Sequence, residues 1–250
     1  RSEEWKISQD RYVDAARSAI NTEEGYPEKL ADADNSLMGF GATYDMNDTT
    51  QLFFGFHEGF TPTAGGANPE EADNLEMGVR YVKDNTYFEV VYFDTDYQNM
   101  FGECTASGGA TGSCEIGDSF NAGEASISGF ELVAQTEIAS ESGTKYPLSV
   151  VYTSTDASFD NTFDSDFWGS VTSGMDIPDL PDSQLALQAG FEIQTGLRGS
   201  ATYYAYGSTC SVASCGVGTL IDSYNIIDAS LTKIMSDKLD IYMVVENITD

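Results

Sequence analysis

Hydrophobic and polar residues alternate along most of this chain with a period of two. Over 184–193, Leu185, Leu187, Ala189, Phe191 and Ile193 alternate with Gln184, Ala186, Gln188, Gly190 and Glu192. The same beat sets Leu75, Met77, Val79 and Tyr81 against Asn74, Glu76, Gly78 and Arg80. It also sets Leu239, Ile241, Met243 and Val245 against Asp240, Tyr242, Val244 and Glu246. Successive side chains of a strand point to opposite faces, so each segment reads as a strand with one oily and one polar face. The pattern predicts about eleven strands. They lie near 4–13, 36–45, 50–58, 74–82, 86–97, 125–138, 145–155, 184–194, 198–206, 223–234 and 238–249. Only 14–30 offers room for a turn or two of helix.

The predicted connections alternate strictly between short and long. Tight turns fall at Met46-Asn47-Asp48, Lys83-Asp84-Asn85, Glu141-Ser142-Gly143, Thr195-Gly196-Leu197 and Ser236-Asp237. Long loops fall at 14–35, 59–73, 98–124, 156–183 and 207–222. A soluble sandwich has no reason to gather its short turns at one end. An antiparallel up-and-down transmembrane β-barrel does so, with short periplasmic turns and long outer loops, and its apolar face meets lipid. That all-β barrel is the predicted fold, although a secreted β-sandwich also gives one apolar face per strand. The sequence has no run of 18 apolar residues, which excludes a spanning helix but not spanning strands.

Charge sharpens the picture. The 250 residues carry 11 Lys+Arg against 41 Asp+Glu, a net charge of −30. No basic surface is available to neutralise phosphate, so nucleic acid is excluded as a partner. Lys83, Lys145, Arg198, Lys233 and Lys238 gather at the short-turn rim. The 156–183 loop carries Asp156, Asp160, Asp164, Asp166, Asp176, Asp179 and Asp182 with no Lys or Arg. These carboxylates read as a solvated face or as ligands for divalent cations such as calcium, with Asp160, Asp164 and Asp166 the candidates. No EF-hand spacing is present. The four Cys form two close pairs, Cys104 with Cys114 and Cys210 with Cys215, in small-residue loops without a nearby His. Two local disulfides are expected, with free thiols or zinc as the alternatives. The chain opens on Arg1 without an initiator Met, which reads as a processed or truncated start.

Several segments in order resemble the carboxy-terminal part of the TonB-dependent outer-membrane receptors. They are LFFGFHEGFTPT (52–63), NLEMGVRYVKDNTYFEVVYFDTDYQNMFG (74–102), FNAGEASISGFELVAQ (120–135) and VVENITD (244–250). The loop GECTASGGATGSCEIGDSFNAGE (102–124) is similar to that of ferric-dicitrate-type members. The resemblance covers most of 36–250. It implies a bacterial outer-membrane location and import of a metal chelate, a ferric siderophore or ferric citrate, as cargo. It also implies energy from a TonB-type coupling protein acting through a plug. Members of the family close a barrel of about 22 strands around that plug. No plug-like segment or coupling box occurs in this sequence, so residues 1–250 are expected to be part of a larger barrel. A passive porin or adhesin barrel and a secreted calcium-binding sandwich are the rival readings.

No catalytic constellation occurs, so the chain is not expected to be an enzyme. His57 is the only His. It falls on the polar phase near an outer strand end and is followed by Glu58; both are candidate cargo contacts, with a plain rim position as the alternative. Arg80 is a polar-phase cation among carboxylates, suited to an ion pair with Glu76 or an adjacent-strand acid, or to a chelate. Trp168 joins Phe159, Phe163 and Phe167 in an aromatic cluster, suited to packing of the loop on itself or to a cargo platform.

Overall fold

The computed structural model describes residues 2–9, 29–61, 68–103, 119–121, 123–165 and 169–248. β1 (Ser2–Gln9) and β2 (Lys29–Ser36) pair with each other as a separate hairpin. The chain then enters a meander through β3 (Gly39–Asn47), β4 (Thr50–Thr61), β5 (Glu70–Lys83) and β6 (Thr86–Gln98). A small hairpin of β7 (Phe101–Glu103) and β8 (Ser119–Asn121) rises from the next loop. β9 (Ala125–Ala139) and β10 (Lys145–Phe159) continue the meander. β11 (Phe163–Ser165) and β12 (Gly169–Val171) make a second loop hairpin. β13 (Ser183–Ile193) and β14 (Leu197–Tyr206) follow, then the loop hairpin of β15 (Thr209–Cys210) and β16 (Leu220–Ile221). β17 (Tyr224–Ser236) and β18 (Leu239–Val245) complete the sheet.

The order β18-β17-β14-β13-β10-β9-β6-β5-β4-β3 makes one antiparallel sheet of ten strands in which every strand lies beside its neighbour in the meander. The expected eleven-strand set is corrected at its start. The segment predicted at 4–13 lies outside the large sheet and pairs with residues read as loop. The long loops also hold hairpins that hydrophobic periodicity did not show. Among the described residues there is no helix.

Turn chemistry explains the tight ends. Between β3 and β4, the Asn47 side-chain oxygen accepts from the Thr49 backbone N–H and hydroxyl, each at 2.9 Å, a local Asx turn. Between β13 and β14, Gly196 sits at φ +77°, a conformation that costs a residue with a Cβ.

Register carries the two faces across the sheet. Tyr44, Leu52, Val79, Val90, Leu132, Tyr152, Leu185 and Ala205 stand opposite one another in succession from β3 to β14. On the other face Phe53, Gly78, Val91, Glu131, Thr153, Gln184, Tyr206 and Tyr224 do the same from β4 to β17. No second protein layer covers the apolar face among the described residues. Leu187 is 40%, Ile241 56% and Met243 59% exposed. Leaving such side chains in water instead of an apolar phase costs about 1.5–3 kcal/mol each, so this face requires hydrocarbon. On β9 it runs from Phe130 to Ile138, roughly 27 Å along the strand. At a tilt of about 40° that gives a height of about 21 Å, close to the apolar band of an outer-membrane barrel.

The band has a sharp upper border. Outward-phase aromatics lie beneath it: Tyr92 and Phe130 rings at 5.2 Å, and Phe40 against Phe54 and Phe56 at 5.8 and 5.6 Å. Immediately above, the outward phase turns acidic. Asp94 is opposite Leu75, and Asp96 is opposite Asp73, which is in turn opposite Glu58. The Tyr92 hydroxyl donates to Asp94 at 2.8 Å, which ties ring and carboxylate together at the border.

Candidate functional site

The long-loop end is the candidate site, and its architecture begins with the outer halves of β9 and β10. Tyr97, Ala125, Ile127, Ala157 and Phe159 share the polar, inner phase of the sheet. Where the sheet rises above the band, small and apolar side chains replace the amides on this face. Ala125, Phe159 and Val171 are fully buried there, with Ile177, Ala213, Phe163 and Met175 packed around them. The Phe159 and Phe163 rings meet edge to face at 5.5 Å. The only buried hydrophobic cluster among the described residues therefore fastens the β10–β13 loop to the inner wall.

Backbone hydrogen bonds complete the attachment. Phe159 N–H donates to Met175 O at 2.9 Å, Ile177 N–H to Ala157 O at 3.1 Å, and Thr155 N–H to Asp182 O at 2.9 Å. Asp179 N–H donates to Cys210 O at 2.8 Å, joining this loop to the next one. Of the two expected disulfides, the second is present: Cys210 and Cys215 are bonded, with Cα atoms 5.3 Å apart. The first expected disulfide is that between Cys104 and Cys114. Both Cys104 and Cys114 lie outside the described residues, in the 104–118 stretch between β7 and β8. A groove of about 590 Å³ lies between β10, the 176–183 limb and the β15–β16 hairpin. Tyr152, Asp156, Asp176, Leu180 and Asp182 are in its lining.

The sequence candidates do not converge. His57 is exposed on the inner phase of β4, opposite Gly39 and Asn74. The Asn74 amide donates to the His57 carbonyl at 3.3 Å and accepts from Thr95 Oγ1 at 3.0 Å. Glu58, next in the strand, stands on the outward phase, and its carboxylate accepts the Met38 N–H at 2.6 Å. The two therefore face opposite sides. Arg80 pairs with Glu89 on the neighbouring strand at 2.5 Å rather than with Glu76, and its guanidinium lies 5.2 Å from the centre of the Phe53 ring. By register Arg80 is six residues from the His57–Asn74 row, about 20 Å down the wall. The Asp160 carboxylate accepts the Ser126 hydroxyl at 2.5 Å. Asp164 lies in β11, and Asp166 and Trp168 lie outside the described residues. Among the described residues no three His, Cys, Asp or Glu side chains are placed to hold a metal ion.

Sequence reasoning passed over an aromatic pair on the inner wall. Tyr206 and Tyr224 stand opposite each other on β14 and β17, with stacked rings 4.9 Å apart. Phase counting from Gln184 places both on the polar face, a signal available in the sequence. Below them the wall is polar: Ser200 bonds Ser230 at 2.9 Å, and Gln188 donates to Thr202 at 3.3 Å.

An apolar outer belt, a polar inner wall and looped hairpins at one end describe a barrel wall with a mouth. The family model for TonB dependent receptor-like β-barrels matches residues 9–248. The chain belongs to that family. TonB-dependent receptor barrels reside in the bacterial outer membrane, which supplies the lipid that the outward face requires. No curated protein matches the chain. Among solved structures, it is similar to the siderophore receptor PiuA from Acinetobacter baumannii, at 18% identity and TM-score 0.74. That match covers 100% of this chain and 36% of the receptor. It is also similar to the ferric yersiniabactin uptake receptor FyuA from Yersinia pestis, at 20% identity and TM-score 0.67, with 88% and 33% covered. A mutant of the ferric enterobactin receptor PfeA from Pseudomonas aeruginosa matches at 17% identity and TM-score 0.58, with 87% and 35% covered. The chain thus spans about a third of the length of these receptors. At identities this low, the likeness shows the shared fold alone.

Proposed function

We propose that this chain forms part of the wall of a receptor that imports a metal chelate, most simply a ferric siderophore, across the outer membrane. The energy would come from a TonB-type coupling protein acting through a plug elsewhere in the full-length receptor. The observation that carries the proposal is the match to a receptor barrel family over almost the whole described sheet. The named cargoes of FyuA and PfeA are ferric chelates, and PiuA is a siderophore receptor, which supports iron as the transported metal. The outer hairpins and the inner aromatic pair are the surfaces such cargo would meet first. The family is one of receptors and transporters, and the proposal assigns no chemical step to these residues.

The test is uptake of radiolabelled iron by cells whose only chelate receptor is the full-length protein. Uptake should saturate and should stop when the coupling protein is deleted or the proton gradient is collapsed. Uptake that persists without the coupling protein would instead make the protein a passive barrel.

A further inference from the structure

Neither of the two outer loops that border the groove is complete by itself. The β15–β16 hairpin has two ladder pairs, Thr209 with Ile221 and Cys210 with Leu220, and a two-stranded ribbon that short does not hold itself in water. Its apolar side chains supply no core: Val217 is fully exposed, and Leu220 and Ile221 are exposed as well. The Cys210–Cys215 bond closes the hairpin instead, making a ring of the six residues CSVASC. Within the ring the Cys215 N–H donates to Val212 O at 3.1 Å, and across the hairpin the Ser211 N–H donates to Thr219 O at 2.9 Å.

The return limb of the β10–β13 loop has a gap at the matching place. It is bonded to β10 at Ile177 and again at Asp182. Between these stand Pro178 and Pro181, which have no N–H to give to a ladder. Asp179, next to Pro178, is held at φ +60°, a left-handed conformation uncommon for a residue with a Cβ. Its N–H donates to the Cys210 carbonyl of the neighbouring loop at 2.8 Å. A second contact comes from the ring. Ala213 is 4% exposed and belongs to the same buried cluster as Phe159, Val171 and Ile177. A hairpin residue is thus part of the core that fastens the other loop to the wall.

We infer that the Cys210–Cys215 bond is a latch that makes these two loops one rigid lip. The bond fixes the ring. The ring seats Ala213 in the cluster and aims the Cys210 carbonyl at Asp179, and both contacts hold the limb where prolines interrupt its ladder. Cys210 and Cys215 line the groove together with Asp176 and Leu180 of the limb, so the same bond fixes the groove's width. Any opening or closing of the mouth on this side must then carry both loops together. Coupling of this kind is reciprocal, and what loosens one loop loosens the other. The latch does not depend on what the barrel carries.

Hydrogen exchange in the full-length protein in detergent tests this. In the double variant Cys210→Ser, Cys215→Ser, the Ile177 and Asp179 amides should exchange at least about tenfold faster, together with Ser211 and Thr219. Val150 and Leu187, in the wall below, should keep their rates. Ala213→Asp leaves the disulfide intact but puts a carboxylate in the cluster, and it should reproduce the pattern. It carries the test if the cysteine variant does not assemble. In the opposite direction, Phe159→Ala should speed exchange at Ser211 and Thr219. Ile177 and Asp179 unmoved in either hairpin variant, with acceleration confined to 207–222, would show two independent loops and overturn the latch. So would a Phe159→Ala protein whose lip is freed while Ser211 and Thr219 stay protected. Neither outcome bears on iron uptake, so the receptor reading stands or falls separately.

Discussion

Three aromatic rings lie over glycines directly across the ladder: Phe53 on Gly78, Phe93 on Gly129 and Phe191 on Gly199. A glycine leaves its patch of sheet bare, and a ring from the opposite strand covers the gap. The three pairs differ in what an added methyl would meet. At Gly129 a Cβ would overlap the Ser154 carbonyl oxygen and come within 2.7 Å of Phe93 Cζ. Backbone on β10 cannot yield there without breaking ladder bonds. At Gly199 the nearest atoms are the Phe191 ring at 2.8 Å and the Ser230 oxygen at 3.1 Å, so turning one ring relieves most of the strain. Gly129→Ala is therefore expected to cost about 2–3 kcal/mol, toward the upper end of overpacking effects, and Gly199→Ala under about 1 kcal/mol. Urea unfolding of the full-length receptor in lipid vesicles measures the difference. Equal losses at the two sites would refute the assignment of strain to the β10 backbone.

At the scale of the element, the β10–β13 loop is better described as an attached lip than as a free arm. Its return limb extends the β10 ladder through Met175, Ile177 and Asp182, and Val171 is buried beneath it. Truncating a buried Phe costs about 3–5 kcal/mol, more than a local attachment of this size can absorb. Phe159→Ala should therefore free the loop while leaving the strands below paired. Hydrogen exchange would show faster exchange at Met175 and Ile177 and unchanged exchange at Val150 and Leu187. Loss of protection throughout the sheet would show instead that the cluster supports the wall. The same element explains what the sequence disclosed. Within the membrane the solvent alternates across the sheet, so hydrophobicity must alternate too, and the ten meander strands and their turns were legible. Above the band the outward face turns polar, and the contrast between the faces that hydrocarbon imposes is lost. There β5 continues to Glu70 and β10 to Phe159, through segments such as Glu70-Glu71-Ala72-Asp73 and Ser154-Thr155-Asp156, with no alternation to betray them. Backbone pairing persists where the hydrophobic signal has stopped, which also hid β2 and the loop hairpins. The residues proposed for the site were found singly, but strand parity decides which share a face. His57 and Glu58 were separated for that reason, and Tyr206 and Tyr224 were brought together.

For the whole molecule, the decisive relation is between two surfaces one side chain apart. Leu187 and Gln188 are consecutive in β13 and opposite Tyr203 and Thr202 respectively, and Leu187 shares a register row with Ala134, midway between Phe130 and Ile138 on β9. If the outward phase meets hydrocarbon, a probe at 187 lies in acyl chains, and a probe at 188 lies in the lumen at the same depth. Tryptophan introduced at each position of the full-length receptor, with its other tryptophans, Trp5 and Trp168 among them, replaced by Phe, reports this directly in vesicles containing lipids brominated near mid-chain. Leu187→Trp should be strongly quenched with blue-shifted emission, and Gln188→Trp should be little affected. The same contrast governs charge. Leu187→Lys places a cation near the bilayer midplane at a cost of about 2–4 kcal/mol, whereas Gln188→Lys faces a polar wall rich in carboxylates and costs little. A single exchange of neighbours thus separates the barrel from any soluble sandwich. In a sandwich core, Leu187→Trp would be buried from lipid and unquenched, and Leu187→Lys would fail to fold in detergent and vesicles alike.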